Sequence, residues 1–467
     1  MIAKELRALV PPWAAASAAV VACALVRDLY PFAIPAYFIG AATLGAMTMG
    51  HEYNHRTLPL LFTLPVSRHR VLLTKLAVLG VSLLLLAAVA RMVLPVSRDT
   101  LIFRGTVIWL PFFAALFVTP YLTIVSRSPM GGAVLTLAIA GVLMIAGEWI
   151  GISKYGYTRD VDSFRVAFVW YALALLAAAS AAGVWWTFGR LQVFDGGEKA
   201  LDLVSHTVST SSVLVKRNPL WLLVKKELRL QQLAFAVAAL YSVVFVAIAV
   251  GGRGAMQNMM FVSVLYSGLL TLLIGATASA EERHLRTLDA QLLLPMEAWR
   301  QWLIKAAVVV VLTVLLAFLL PGGLALTFTT QHVGTSLIQA LFFPRMILML
   351  LALSALSLYV STLCSSGLWA LMVSLPSGFA LAVGVMKLAN DLLAFLYWLG
   401  GRPDWRLVER TAAIMSVAMI LVILRLAQAN HRTSDRSLLR TAVQVAIAAG
   451  SAVAAAGVVA IVASLSR

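Results

Sequence analysis

Along the 467 residues, apolar runs of about 17 to 25 residues alternate with short polar stretches. A run of that length crosses roughly 30 Å of hydrocarbon as an α-helix. Six such runs occupy the first half, at 8–26, 32–50, 72–94, 106–125, 131–152 and 166–188. Six more follow at 233–250, 259–280, 304–328, 346–364, 368–386 and 411–427, and an Ala/Val/Gly-rich thirteenth at 441–465 has no counterpart in the first set. The pattern predicts an all-α polytopic membrane protein. It is read as two parallel six-helix repeats, with residues 1–215 as the first repeat and linker, 216–440 as the second, and 441–467 as an extra C-terminal transmembrane helix.

Two echoes support the repeat. Aligning 52–75 with 282–305 gives nine identities without a gap, including Glu52/Glu282, Arg56/Arg286, Thr57/Thr287, Leu58/Leu288, Leu64/Leu294, Pro65/Pro295 and Lys75/Lys305. Chance gives about two. The tetrad Lys4-Glu5-Leu6-Arg7 also returns as Lys226-Glu227-Leu228-Arg229, each time shortly before an apolar run. The chain reads as a tandem duplication. An even number of spans per half gives both halves the same orientation, with the pseudo-symmetry axis along the membrane normal.

Composition agrees with a lipid-facing surface: 61% of residues are hydrophobic and 12% charged, with a mean hydropathy of +0.94. A soluble domain carries roughly 25% charged residues. The net charge of +17 comes from short Lys/Arg clusters between apolar runs. Such clusters set topology and are not one nucleic-acid-binding patch. With the N-terminus cytoplasmic, 22 of the 36 basic residues fall on inner segments, which places both repeated loops in the cytoplasm and the chain in the cell (inner or plasma) membrane. Cys23 and Cys364 both lie in apolar segments and read as packing residues.

The repeated loop carries the candidate chemistry. Residues 56–64 read as a short helix at the inner surface ended by Pro65, with Ser67 positioned to cap the following span. Leu58, Leu61 and Phe62 would insert into a partner's groove while Glu52 and Arg56 stay polar. The alternative is an interfacial helix lying on lipid, with its arginines as anchors. Lipid anchoring tolerates almost any basic amphipathic spacing, so the gap-free duplication weighs against it.

The pattern Glu-x3-Arg-Thr-Leu-x5-Leu-Pro-x4-Arg-x4-Lys between the second and third spans, six spans per half and the preceding Lys-Glu-Leu-Arg segment resemble the permease subunits of type-2 ABC transporters, mostly exporters. The resemblance covers each half nearly end to end and implies two six-span units around a substrate path. It also implies that each unit presents its cytoplasmic loop as a coupling helix to an ATPase. Carried across, Glu52, Arg56, Thr57, Leu58 and Leu64 form one coupling site, and Glu282, Arg286, Thr287, Leu288 and Leu294 the other. Family members are commonly single six-span chains that dimerise, whereas this chain carries two such units, and the family pattern leaves the extra helix open. No phosphate-binding Gly-x4-Gly-Lys-[Ser/Thr] loop or helical zinc motif occurs in the sequence. The chain is therefore expected to be a non-enzymatic permease without a cofactor of its own, with ATP and Mg on two copies of a separate ATPase chain. The other expected partners are membrane lipid and a small or lipophilic substrate, and not nucleic acid.

Glu148 and, in the second half, Asp391 occupy the outer ends of spans where the family places re-entrant helices, and are candidates for an outer gate. For Glu148 an interfacial pair with Lys154 is the alternative. Arg91 and Arg345 read as snorkelling cations, and His332 as a residue of a polar outer loop. Two other functions stay open. The first is a secondary transporter of the major-facilitator type, although its Gly-x3-Asp-Arg-x-Gly-Arg-Arg pattern is absent after span two. The second is a scaffold or sensor that moves nothing.

Overall fold

The computed structural model describes residues 2–25, 30, 33–55, 67–94, 106–156, 160–190, 219–251, 256–284, 297–329, 331–378, 405–431 and 438–465. Those residues form helices joined by short turns, without a strand among them. Twelve helices among them are long and apolar enough to cross a bilayer. The protein is an all-α, integral multi-pass membrane protein. Of the thirteen runs read from the sequence, 368–386 alone has no span among these twelve. It begins as the apolar helix Gly367–Gly378, and its remainder lies outside the described residues.

Contacts divide the chain into two compact units, Met1–Leu222 and Leu223–Arg467. Unit 1 contains α1 (Ile2–Leu25), α2 (Ala33–His55), α3 (Arg68–Val93), α4, α5 (Pro129–Tyr155) and α6 (Asp160–Arg190). α4 runs from Thr106–Phe113 through a π-helical turn, Ala114–Val118, into Thr119–Ser126. Unit 2 is entered through α7 (Pro219–Leu230) and contains α8 (Gln232–Gly251), α9 (Met256–His284), α10, α11 (Gln331–Phe342), α12 (Pro344–Leu363), α13 (Gly367–Gly378), α14 (Trp405–His431) and α15 (Leu438–Leu465). α10 likewise changes from Ala298–Leu312 through π-helical Thr313–Leu319 to Leu320–Phe328. Widening a helix there displaces carbonyls from their intrahelical partners. Hydroxyls of α9 occupy two of them, Tyr266 donating to the Leu316 oxygen at 3.1 Å and Ser267 to that of Ala317 at 2.6 Å.

In each unit the second helix is the central one. α2 packs against α1, α3, α4 and α5, and α9 against α8, α10, α11 and α12. In lipid, apolar surface alone gives helices little reason to associate, so small residues that admit close backbone approach decide which faces meet. Gly45 and Gly275 do this at positions 230 residues apart, the same offset as the repeated loops. A Cβ on Gly45 would lie 2.5 Å from the Ala115 oxygen of α4, and one on Gly275 would lie 2.7 Å from Ser357 Cβ and 2.9 Å from the Leu358 nitrogen of α12. The Gly275 contact is reinforced by Ser357, which donates to the Leu272 oxygen, and by Ser361, which accepts from the Ser279 and Ala280 N–H groups. Gly275→Val is expected to lower stability by about 1–3 kcal/mol through overpacking. It should be read as a drop in the unfolding temperature of purified protein against Gly268→Ala, on the same helix, where nothing lies within 4 Å.

Three local expectations change. Residues 331–342, read as part of a polar outer loop around His332, form α11, which buries Leu337 and Leu341 and packs Phe342 against Phe318. Those apolar positions, four apart, give the segment a helical face that hydropathy averaging over its polar residues conceals. Ser67 does precede α3 with an extended backbone, but its side chain makes no capping bond. Arg345, read as a snorkelling cation, is ion-paired with Glu409 at the start of α14.

Candidate functional site

The two echoes of the sequence meet in space. In unit 1, α1 brings Glu5, the end of α2 brings Glu52, and the first turns of α3 bring Lys75. The Lys75 ammonium donates to both Glu5 oxygens at 2.8 Å, to Glu52 Oε1 at 3.2 Å and to the Thr48 carbonyl at 3.3 Å. Lys4 Nζ reaches the same Glu52 Oε1 at 3.0 Å. In unit 2, Lys305 lies 3.1 and 3.0 Å from the Glu227 oxygens, 2.7 Å from Glu282 Oε2 and 2.6 Å from the Ala278 carbonyl. Lys226 Nζ is 2.6 Å from Glu282 Oε1. Each residue of the first cluster has its aligned counterpart in the second, down to the accepting carbonyl, since Thr48 and Ala278 are also 230 apart.

Each cluster is a quartet of two lysines and two glutamates with balanced formal charge. Three members are buried, Glu5, Glu52 and Lys75 in one unit and Glu227, Glu282 and Lys305 in the other, while the fourth member, Lys4 or Lys226, keeps contact with the surface. Burying a charge at this depth costs several kcal/mol unless it is paired and hydrogen-bonded. Here each central ammonium has acceptors for its three protons, and the repeat of the same solution in both units shows how the apolar helix ends tolerate three charges. Burial pushes the Glu227 carboxyl up, to about 7, against the pull of Lys305. Lys305 is thus what keeps that carboxyl ionisable near neutrality.

The quartet sits at the stem of the repeated loop. Glu52 and Lys75 bound the first 24-residue match and Glu282 and Lys305 the second, so each ion pair closes the loop where it leaves the helices. Compared with family models, with curated proteins and with solved structures, the chain matches none. Its site therefore has to be read from its own geometry.

Of the residues assigned to coupling, Glu52 and Glu282 are buried and engaged with Lys75 and Lys305. Arg56, Thr57, Leu58, Leu64, Arg286, Thr287, Leu288 and Leu294 lie outside the described residues, as does Asp391. Glu148, on α5, is about one-third exposed and pairs with Arg165 of α6 at 3.4 Å. Lys154, its partner in the alternative reading, lies over the Tyr155 and Phe164 rings, 5.2 and 5.9 Å from their centroids. Cys23 is buried and Cys364 half-buried, both as free thiols. Among the described residues no three His, Cys, Asp or Glu side chains come together as metal ligands would. The sequence contained the signal for the quartets, a Lys-Glu echo and a Glu…Lys echo in the same order, but not the fact that the two meet.

Proposed function

We propose that the chain is the membrane-spanning permease of an ATP-driven exporter. Its spans form the substrate path, and each unit presents its repeated cytoplasmic loop to a separate ATPase subunit. The observation that carries this reading is the quartet at the stem of both loops. A segment that merely rests on lipid has no need of a buried, fully paired attachment to three helices. A loop that receives force from a partner has, because an unanchored loop would yield before the helices moved. The resemblance of the loop pattern to type-2 permeases supports the same partner.

Buried lysines and carboxylates also occur in proton-coupled carriers. Against that role, each quartet is closed, with two cations for two anions and acceptors around each central ammonium, and it lies at the loop-side ends of the helices.

The test is to purify the full chain from its native membrane in mild detergent and measure particle mass and ATP hydrolysis. One copy of the chain with two ATPase subunits, and hydrolysis that depends on the chain, is the expected result. A chain that carries no ATPase and moves substrate on a proton gradient alone would replace this reading with the carrier. A particle of two chains and four ATPases would mean that one chain does not make a complete transport unit by itself.

A further inference from the structure

α15 is the helix that the repeat leaves unassigned. Among its described residues Gln444 is the one buried side chain, and it is polar. It forms a reciprocal amide pair with Asn430 at the end of α14: Asn430 Nδ2 donates to Gln444 Oε1 at 2.9 Å, and Gln444 Nε2 donates to Asn430 Oδ1 at 2.7 Å. Tyr359 of α12 donates to Gln444 Oε1 at 3.2 Å, and Asn430 Nδ2 also donates to Thr362 Oγ1 at 3.3 Å. Arg440, at the start of α15, donates to the Ala429 carbonyl at 3.0 Å. At the far end of this antiparallel hairpin, Val459 packs on Val408. An amide facing apolar helices has no water to fall back on, so this pairing fixes where α15 sits against α14.

The pairing continues toward the loop stem. The Asn430 carbonyl accepts from Arg283 Nη2 at 3.2 Å, and Arg283 is the chain neighbour of Glu282 in the quartet. The next residue, His431, is fully buried, and among the described residues neither of its ring nitrogens has a hydrogen-bond partner. A buried imidazole without bonds of its own is held in place by what flanks it. Unit 1 reaches its quartet differently. The end of α6 places Phe188 in an apolar cluster with Met49, Val71 and Leu72, and Arg68 donates to the Gly189 carbonyl at 2.9 Å.

We propose that α15 is a brace on the stem of the second repeated loop: Gln444 is a positioning residue that, through Asn430, holds Arg283 and with it the neighbouring Glu282 against Lys305. The two stems are thereby held by different elements of their own units, the second by α15 through α14 and the first by the end of α6. The brace is a property of unit 2 alone and stands whether or not an ATPase docks.

Hydrogen exchange on the full chain in nanodiscs tests it. Gln444→Leu should speed exchange about tenfold at 279–283 and 301–305, the expected scale for opening a local unit after losing its buried bonds. Segments 49–53 and 71–75 of unit 1 should be unchanged. The exchanged pair Asn430→Gln with Gln444→Asn keeps the two-bond geometry and should restore most of the protection. Tyr359→Phe removes one bond and leaves the helices otherwise intact. It should give a smaller acceleration in the same two segments, and it decides the matter if Gln444→Leu fails to fold. Acceleration confined to α15, or equal in both units, would overturn the brace.

Discussion

Lys75→Met and Lys305→Met are each expected to destabilise the protein by about 3–5 kcal/mol, the cost of removing one partner from a buried ionic cluster. The methionine fills similar volume, so the loss reports charge. It leaves two buried carboxylates facing each other with one surface lysine between them. In unit 2 the Glu227 carboxyl, raised by burial and held down by Lys305, would then rise further. Two further variants separate this from general damage. Lys4→Met, whose side chain is half exposed, should cost no more than about 1 kcal/mol. Adding Glu5→Gln to Lys75→Met should recover part of the loss, since the two sites are in contact and their effects are not additive. Unfolding of purified protein by heat or denaturant gives all four numbers. Equal, small shifts for Lys4→Met and Lys75→Met would show that the quartet is not the anchor described here.

The second large effect concerns the loops themselves. In the double variant Arg56→Glu with Arg286→Glu, ATP-driven transport is expected to be abolished and ATPase association weakened by several kcal/mol, the scale of reversing a charge at a desolvated contact. Either single change should weaken association and leave partial transport. Thermal stability should stay close to that of the parent, in contrast to the lysine variants. Association measured by co-purification and transport measured in vesicles together decide it. Normal ATPase stimulation by the double variant would exclude these loops as the docking surface, while leaving the quartets and the brace untouched.

Several features were legible before any coordinates because their physical causes are local. A run such as 72–94 is long and apolar enough to span the hydrocarbon whatever its neighbours are, and it appears as α3, Arg68–Val93. Boundaries moved where a polar residue was counted against a helix that its partner supports. The first apolar run spans 8–26, yet α1 starts at Ile2 and carries Glu5 into the interior, because Lys75 is there to meet it. Hydropathy assigns Glu5 its cost in isolation and cannot include a partner 70 residues away.

Sequence periodicity and identity alone established the class of the molecule: apolar segments that must be helices, since lipid offers backbone groups no other partner, and a pattern that occurs twice at a fixed offset. Tertiary structure decided where the charges of that pattern lie. Glu52 and Glu282 read as loop residues, but they are the inner ends of a clamp, because helix packing brings the Lys-Glu echo and the Glu…Lys echo to one point. Gly45 and Gly275 were two glycines among 30 in the sequence until a backbone 2.5 Å and a side chain 2.7 Å from where a Cβ would stand showed why neither can be larger. Gln444 and His431 had no sequence signal at all, because a polar residue in an apolar helix acquires its meaning only from the group it faces.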